Sequence, residues 1–332
     1  ERLVGSEMCI RDRNNMMYLW LLLGFVFLVK GADLFVDGCS SIAKTLRVPS
    51  IIIGLTIVAF GTSAPEASVS IMASLSGNND IAISNVIGSN LFNSLAVIGV
   101  CGVVLPMKIQ GGLLKKEMPF SILVTGLLLL FCMFSIGGGK GVLQIGRLEG
   151  LVLLLLFAGF LYMQIKSALK TRTIRPEEEN IGKKLSPVRS VVYAVLGIAM
   201  IIIGGELVVD SASEIAAAFG MSQTLIGLTI VAIGTSLPEL VTSVVASTKG
   251  ENDLAMGNVI GSNIFNILLI LGASAAISPM TISMESIYDG AVLLVMSILL
   301  FFLAKKGEEI SRKEAVLLLV LYGGYTAYII MR

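Results

Sequence analysis

The sequence predicts an all-α polytopic membrane protein: ten transmembrane helices arranged as two inverted five-helix repeats. Three observations predict it. First, the 332-residue chain is 55% hydrophobic and 14% charged, with a mean hydropathy of +0.90, whereas an ordinary soluble protein carries about 25% charge. Second, the apolar residues fall into runs of about 20, the length that crosses a bilayer. Third, Gly54–Glu66 (GLTIVAFGTSAPE) recurs 173 residues later as Gly227–Glu239 (GLTIVAIGTSLPE). Laid without a gap over 227–272, residues 54–99 show 28 identities in 46 positions, and most of these fall on Gly, Thr, Ser, Pro, Glu and Asn. Apolar composition alone does not produce such identities; duplication does.

Taken in order, residues 1–15 (ERLVGSEMCIRDRNN) are charged and have no counterpart in the second half. They resemble translated adapter read-through joined upstream of Met16 or Met17, and are set apart as a non-native leader. The first repeat covers 16–168, with spans near 16–36, 42–75, 81–105, 118–137 and 148–168. A loop at 169–188 follows. The second repeat covers 189–332, with spans near 189–209, 222–247, 253–277, 287–304 and 314–331. Asp80 and Asp253, each followed by an apolar run, read as caps of the third and eighth helices. Of the four cysteines, Cys9 lies in the leader, and Cys39, Cys101 and Cys132 show no metal spacing and read as small apolar residues.

Charge orients the spans. The central loop region carries Lys166, Lys170, Arg172, Arg175, Lys183, Lys184 and Arg189, which places it in the cytoplasm. Counting outward, inside loops hold Lys44, Arg47, Lys108, Lys115, Lys116, Lys249, Lys305, Lys306, Arg312 and Lys313, whereas outside loops hold Lys140 and Arg147. Both termini then lie outside. Five helices per repeat force the halves into opposite orientations, an architecture shared by many secondary transporters.

The motif inside the second and seventh spans carries the chemistry. Pro65 and Pro238 lack a backbone donor and clash with the carbonyls of Gly61 and Gly234, so each helix is expected to break there. Broken helices at membrane depth line cavities, and their freed carbonyls bind cations. Thr62 and Glu66 share a face, as do Thr235 and Glu239. A charged side chain at the bilayer centre costs roughly 2.5–3.5 kcal/mol on insertion scales, so a glutamate in both halves needs a compensating partner, and a cation supplies it. The third and eighth spans add Asn85–Asn93 (NVIGSNLFN) and Asn258–Asn266 (NVIGSNIFN), in which Ser89 and Asn93, and Ser262 and Asn266, lie four apart. Gly88 and Gly261 are expected to let neighbouring helices approach. The inventory is hard oxygen throughout, suited to Ca²⁺ or Na⁺. No histidine exists in the chain, which removes imidazole ligation and the usual proton shuttle.

Other polar residues receive plainer readings. Ser70, Ser74, Ser243 and Ser247 read as helix packing. Asp33, Asp37, Glu206 and Asp210 correspond across the repeats (GADLFVD against GGELVVD) and are expected near the cytoplasmic ends of the first and sixth helices, in an interfacial or gating role. The Glu177–Glu179 run reads as solvated charge.

At these motifs the chain resembles the cation/Ca²⁺ exchanger superfamily, specifically its Na⁺/Ca²⁺ exchanger branch and prokaryotic relatives, over residues 16–332. The resemblance implies four cation sites in a mid-membrane diamond, with Ca²⁺ at the centre and Na⁺ around it. Glu66 and Glu239 would be shared ligands. Thr62, Thr235, Ala59 and Ala232 would contribute carbonyls, Ser63, Ser236, Ser89 and Ser262 would complete the Na⁺ sites, and Asn93 and Asn266 would line the middle. Asn266 departs from many prokaryotic members and from K⁺-dependent exchangers, which carry Asp there, and matches the K⁺-independent animal exchangers.

The expected function is therefore K⁺-independent exchange of Na⁺ for Ca²⁺ across the cytoplasmic membrane by alternating access, with the first and sixth helices sliding against the other eight. Two carboxylates would neutralise one Ca²⁺, and three Na⁺ would leave a net +1. No enzymatic activity, cofactor or nucleic-acid partner is expected, and the protein is expected to work as a monomer in the lipid bilayer. A Ca²⁺/H⁺ or Na⁺/H⁺ antiporter is the alternative within transport. A passive cation channel is the alternative outside it, weakened by the lack of acidic rings at a pore mouth.

Overall fold

The computed structural model describes residues 2–134, 143–172, 185–221, 230 and 232–331; for residues 2–15, 171, 172 and 232 it describes the backbone alone. The chain is helical nearly throughout, and the described helices are α1 (Arg2–Leu46), α2 (Ser50–Thr62), α3 (Ala64–Leu75), α4 (Asn79–Val104), α5 (Leu113–Met133), α6 (Arg147–Lys170), α7 (Pro187–Ala218), α8 (Ala232–Thr235), α9 (Leu237–Thr248), α10 (Asn252–Ile277), α11 (Met284–Gly307) and α12 (Arg312–Met331). Among the described residues eight of these are long and apolar enough to cross a membrane, and α2 and α3, bent by 50° where they meet, are so only when taken together, as one broken span or a re-entrant pair. The chain is thus a multi-pass helical membrane protein. The expected span at 222–247 is seen only as α8 and α9, its first half lying outside the described residues.

The expected division between the first two spans is corrected. Helix α1 runs through residues 37–41 to Leu46, because no proline interrupts that stretch. It ends where Arg47 adopts a left-handed φ of 57° and Pro49, whose ring disfavours helical geometry at Val48, opens α2. The expected caps are also corrected: Asn78 and Glu251 are the N-cap residues of α4 and α10, and Asp80 and Asp253 sit in the first turns, where a carboxylate still complements the helix dipole.

Corresponding helices of the two halves pack antiparallel. The start of α4 meets the end of α10, where Asn79 Nδ2 donates to the Pro279 carbonyl at 3.0 Å. The start of α10 meets the chain beyond α4, where Gln110 donates to Asp253. Two short antiparallel ladders sit at these opposite ends. Strand β1 (Met107–Lys108) pairs with β4 (Glu309–Ile310), and β2 (Gln144–Ile145) pairs with β3 (Met280–Thr281). The 173-residue offset carries β1 onto β3, since 107 + 173 = 280, so the ladders are exchanged by the inversion.

Helices α1 and α7 run antiparallel along a seam of small residues. A Cβ on Gly197 would lie 2.5 Å from the Phe35 backbone nitrogen, one on Gly38 would lie 2.6 Å from Ala194 N, and one on Gly204 would lie 2.8 Å from Gly24 O. Backbone meets backbone, so these positions accept no side chain. The antiparallel seam also separates the acidic pairs: Gly38, beside Asp37, packs on Ser190 and Ala194, whereas Gly24 packs on Gly204 and Val208, between Glu206 and Asp210. The expectation that all four carboxylates share the cytoplasmic end is therefore corrected. Asp33 and Asp37 lie at one end of the pair and Glu206 and Asp210 at the other.

The interior core is continuous and centres on α4 and α10, whose residues Ile83, Val86, Leu91, Leu254, Val259 and Ile264 are fully or almost fully buried. Cys39, Cys101 and Cys132 are free thiols inside apolar packing.

Candidate cation-binding site

Both expected helix breaks are present. Helix α2 stops at Thr62 and α3 begins at Ala64, with Ser63 between them at ψ 7° and Pro65 in the first turn of α3. Ser236, at ψ 6°, separates α8 from α9 in the same way, with Pro238 following. Each break places a serine and, three residues on, a glutamate at the buried middle of the bundle. Glu66 and Glu239 are both 0% exposed.

The two breaks cross, and each serine serves the other half's glutamate. Ser63 Oγ donates to Glu239 Oε1 at 2.9 Å, and Ser236 Oγ donates to Glu66 Oε1 at 2.8 Å. Ser236 Oγ also lies 3.1 Å from Ser89 Oγ, and Ser262 Oγ approaches Glu239 Oε1 at 3.4 Å. Ser63 and Ser262 thus converge on one oxygen of Glu239, and Ser236, itself beside Ser89, on one oxygen of Glu66. The second oxygens, Glu66 Oε2 and Glu239 Oε2, are buried with no hydrogen-bond partner among the described residues. A buried ionised carboxylate costs several kcal/mol unless its charge and lone pairs are met.

The amides lie beside this pair. Asn93 and Asn266 are fully buried, each near the start of a π-helical turn, at Phe92–Val97 and Asn266–Leu271. Asn266 Nδ2 donates to Asn90 Oδ1 at 3.0 Å, which leaves Asn266 Oδ1 and both side-chain polar atoms of Asn93 without a partner among the described residues. π-turns recur at functional sites because they offset the backbone hydrogen-bond ladder. Thr62 is fully buried and Thr235 is 8% exposed. The Ala59 carbonyl accepts from Ser63 N at 3.0 Å and lies 3.4 Å from Thr62 Oγ1. Ala232 opens α8, and its side chain lies outside the described residues.

Several supporting residues carry no role in the motif reading. Asn85 Nδ2 reaches Ser70 Oγ at 3.0 Å and the Glu66 carbonyl at 3.4 Å, and Asn258 Nδ2 reaches Ser243 Oγ and the Glu239 carbonyl at the same two distances. Ser70 and Ser243, read from sequence as packing, therefore anchor the amides that hold the glutamate-bearing turns. Asn90 Nδ2 bonds the Asn263 carbonyl at 3.1 Å, and Asn263 Nδ2 bonds Ser94 Oγ at 2.8 Å, which ties α4 to α10 across the centre. The signal in the sequence is the recurrence of Ser70, Asn85 and Asn90 as Ser243, Asn258 and Asn263; Ser94, which corresponds to Ile267, carries no such signal. Gly261 meets the close-approach expectation, its Cβ position lying 2.7 Å from Ala59 Cβ and 2.8 Å from Leu55 Cα. No described atom lies within 4 Å of a Cβ built on Gly88.

Away from the centre, Lys249 in the turn before α10 pairs with Asp33 at 2.6 Å and with Asp37 at 2.5 Å. Burial lowers the Lys249 pKa, but its hydrogen bonds to Asp33 and Asp37 outweigh that effect and hold it above the ordinary lysine value. In the same turn Glu251 accepts from Ser40 and lies 3.8 Å from Lys44.

The sodium/calcium exchanger protein family matches residues 16–166 and 189–331 of the chain. The sodium/calcium exchanger MaX1 of Methanosarcina acetivorans is 35% identical, over 92% of this chain and 96% of its own length. The inner membrane protein YrbG of Escherichia coli is also 35% identical, over 94% of this chain and 95% of its own. Among solved structures, the sodium-calcium exchanger NCX_Mj soaked with 2.5 mM Na⁺ and 0.1 mM Ca²⁺ superimposes with a TM-score of 0.80 at 33% identity, covering 94% of this chain and 98% of that one.

Proposed function

The chain belongs to the sodium/calcium exchanger protein family, and from that premise we propose that it exchanges Na⁺ for Ca²⁺ across the cytoplasmic membrane by alternating access, without a requirement for K⁺. The observation that carries this reading is the crossed pair of fully buried glutamates, each hydrogen-bonded through one oxygen by the other half's serine and bare on the second oxygen.

Two carboxylates neutralise one Ca²⁺, which takes six to eight oxygens in an adaptable shell. Glu66 and Glu239 supply the charge, and the carbonyls of Thr62 and Thr235 add neutral oxygens. Na⁺ uses the same glutamates together with the Ala59 and Ala232 carbonyls and the hydroxyls of Ser63, Ser236, Ser89 and Ser262. Asn93 and Asn266 line the middle with neutral amide oxygens, and the absence of a third carboxylate at Asn266 supports K⁺-independence. Because both cations need the same two charges, occupancy by one excludes the other, and coupling follows from competition rather than from a separate gate.

Ten spans in two inverted repeats, 16–168 and 189–332, complete the architecture, with the 169–188 loop in the cytoplasm and both termini outside. The α1–α7 pair moves as one body against the rest. Its glycine seam supports this: backbones packed at side-chain-free contact slide over a neighbour more readily than they separate from each other.

The test is ⁴⁵Ca²⁺ uptake into liposomes holding the purified protein. An outward Na⁺ gradient is expected to drive uptake with or without K⁺. Uptake that follows an imposed pH gradient alone would reassign the protein to proton coupling, and a gradient-independent leak would make it a channel.

A further inference from the structure

We propose that Asn258 is a specificity-determining positioning residue of this site, one that sets the spacing of its oxygens and with it the preference for Ca²⁺ over smaller divalent cations. The inference rests on the exchange reading above.

Asn258 is 0% exposed on α10 and makes three hydrogen bonds to two different halves of the protein. Its Nδ2 donates to Ser243 Oγ at 3.0 Å and to the Glu239 carbonyl at 3.4 Å, both on α9. Its Oδ1 accepts from Thr62 Oγ1 at 3.0 Å, at the end of α2. Thr62 is followed by Ser63, whose hydroxyl returns to Glu239 Oε1 at 2.9 Å. The bonds close a ring that runs from Thr62 through Asn258 to the Glu239 backbone, out along the Glu239 side chain, and back through Ser63. One amide therefore fixes how far the break in the first half stands from the carboxylate of the second.

An ion can take the Glu239 oxygen from Ser63, because that bond ends on the carboxylate itself. The Asn258 bonds end on the Glu239 carbonyl, Ser243 Oγ and Thr62 Oγ1 and none on the carboxylate, so they persist while the carboxylate turns to a cation. They hold the frame against which ligand oxygens close. Mg²⁺ demands oxygens at about 2.0–2.1 Å in octahedral geometry, whereas Ca²⁺ accepts about 2.3–2.6 Å. A frame that stops the two broken helices from closing further discriminates against the smaller ion. Removing the amide releases that stop without removing a ligand or a charge, and Thr62 Oγ1 keeps the Val58 carbonyl, 3.1 Å away, as an acceptor.

The experiment compares the wild type with Asn258→Ala, Thr62→Val and the double variant in liposomes, measuring Na⁺-driven ⁴⁵Ca²⁺ uptake with Mg²⁺ and Sr²⁺ as competitors. Asn258→Ala is expected to raise the Ca²⁺ KM about fivefold, the worth of a buried hydrogen bond, and to strengthen Mg²⁺ competition while the maximal rate holds. Thr62→Val, which keeps its carbonyl, is expected to move the same parameters in the same direction, with the double variant no worse than the larger single one. A fall in maximal rate with the Ca²⁺/Mg²⁺ preference intact, or additive effects of the two changes, would overturn the proposal. If Asn258→Ala does not fold, Thr62→Val alone decides it by the same preference. A wild type without Na⁺-driven uptake would sink the exchange reading instead. Positioning would then be read from melting temperatures in detergent with Ca²⁺ or Mg²⁺, where loss of the Ca²⁺ preference in Asn258→Ala supports it and retention overturns it.

Discussion

At the centre of the molecule the two halves are nearly interchangeable, and at the ends they are not. The serine-to-glutamate bonds differ by 0.1 Å between halves, at 2.9 and 2.8 Å, and the asparagine braces repeat at 3.0 and 3.4 Å on both sides. Ser76 and Asn78, however, stand where the second half has Lys249 and Glu251. Lys249 fastens its turn to Asp33 and Asp37 on α1, whereas the corresponding Glu206 and Asp210 on α7 are exposed. Symmetry is kept where polar atoms are buried and paired, so that a change strands a partner. It is lost where water can satisfy whatever side chain is present.

The largest effects are expected where the symmetry is strictest. Glu66→Gln and Glu239→Gln each remove one of two central charges and should both abolish Na⁺-driven Ca²⁺ uptake with expression retained. Transport surviving in either would show that the carboxylates are not equivalent. Gly197→Ala comes next: it drives a Cβ to 2.5 Å from a backbone nitrogen and should destabilise the fold by about 1–3 kcal/mol, read as a lowered melting temperature. Gly204→Ala should behave alike, since its Cβ would meet the Gly24 carbonyl at 2.8 Å.

Ser63→Ala and Ser236→Ala should raise the Ca²⁺ KM by similar amounts, about fivefold for one lost hydrogen bond each. A clear inequality in uptake kinetics would break the symmetry at its centre. Lys249→Ser, which makes the second half resemble the first, should have the smallest effect, about 0.5 kcal/mol for a partly exposed pair, weaker still at high salt. It is best seen as faster hydrogen exchange near the end of α1. Because the Lys249 pKa is raised in the folded protein, the contribution of this clamp is complete below the ordinary lysine value and fades as pH rises through the folded one.

The sequence alone determined that the chain lies in a membrane, that it is duplicated, and that each copy carries a proline-broken helix with a glutamate one turn on. Hydropathy, repetition and proline geometry are local properties, written in neighbouring residues. The motif residues Glu66, Glu239, Ser63, Ser236, Ser89 and Ser262 could be singled out because polar groups in an apolar run are conspicuous. Only the tertiary structure decided that Ser63 serves Glu239 rather than Glu66, at a sequence separation of 176 residues. It also decided that α1 continues to Leu46, that Asp33 and Asp210 lie at opposite ends of one helix pair, and that Asn258 joins both broken helices. Those outcomes depend on how antiparallel helices cross, and a crossing is set by the summed packing of many small contacts, which no single stretch of sequence contains.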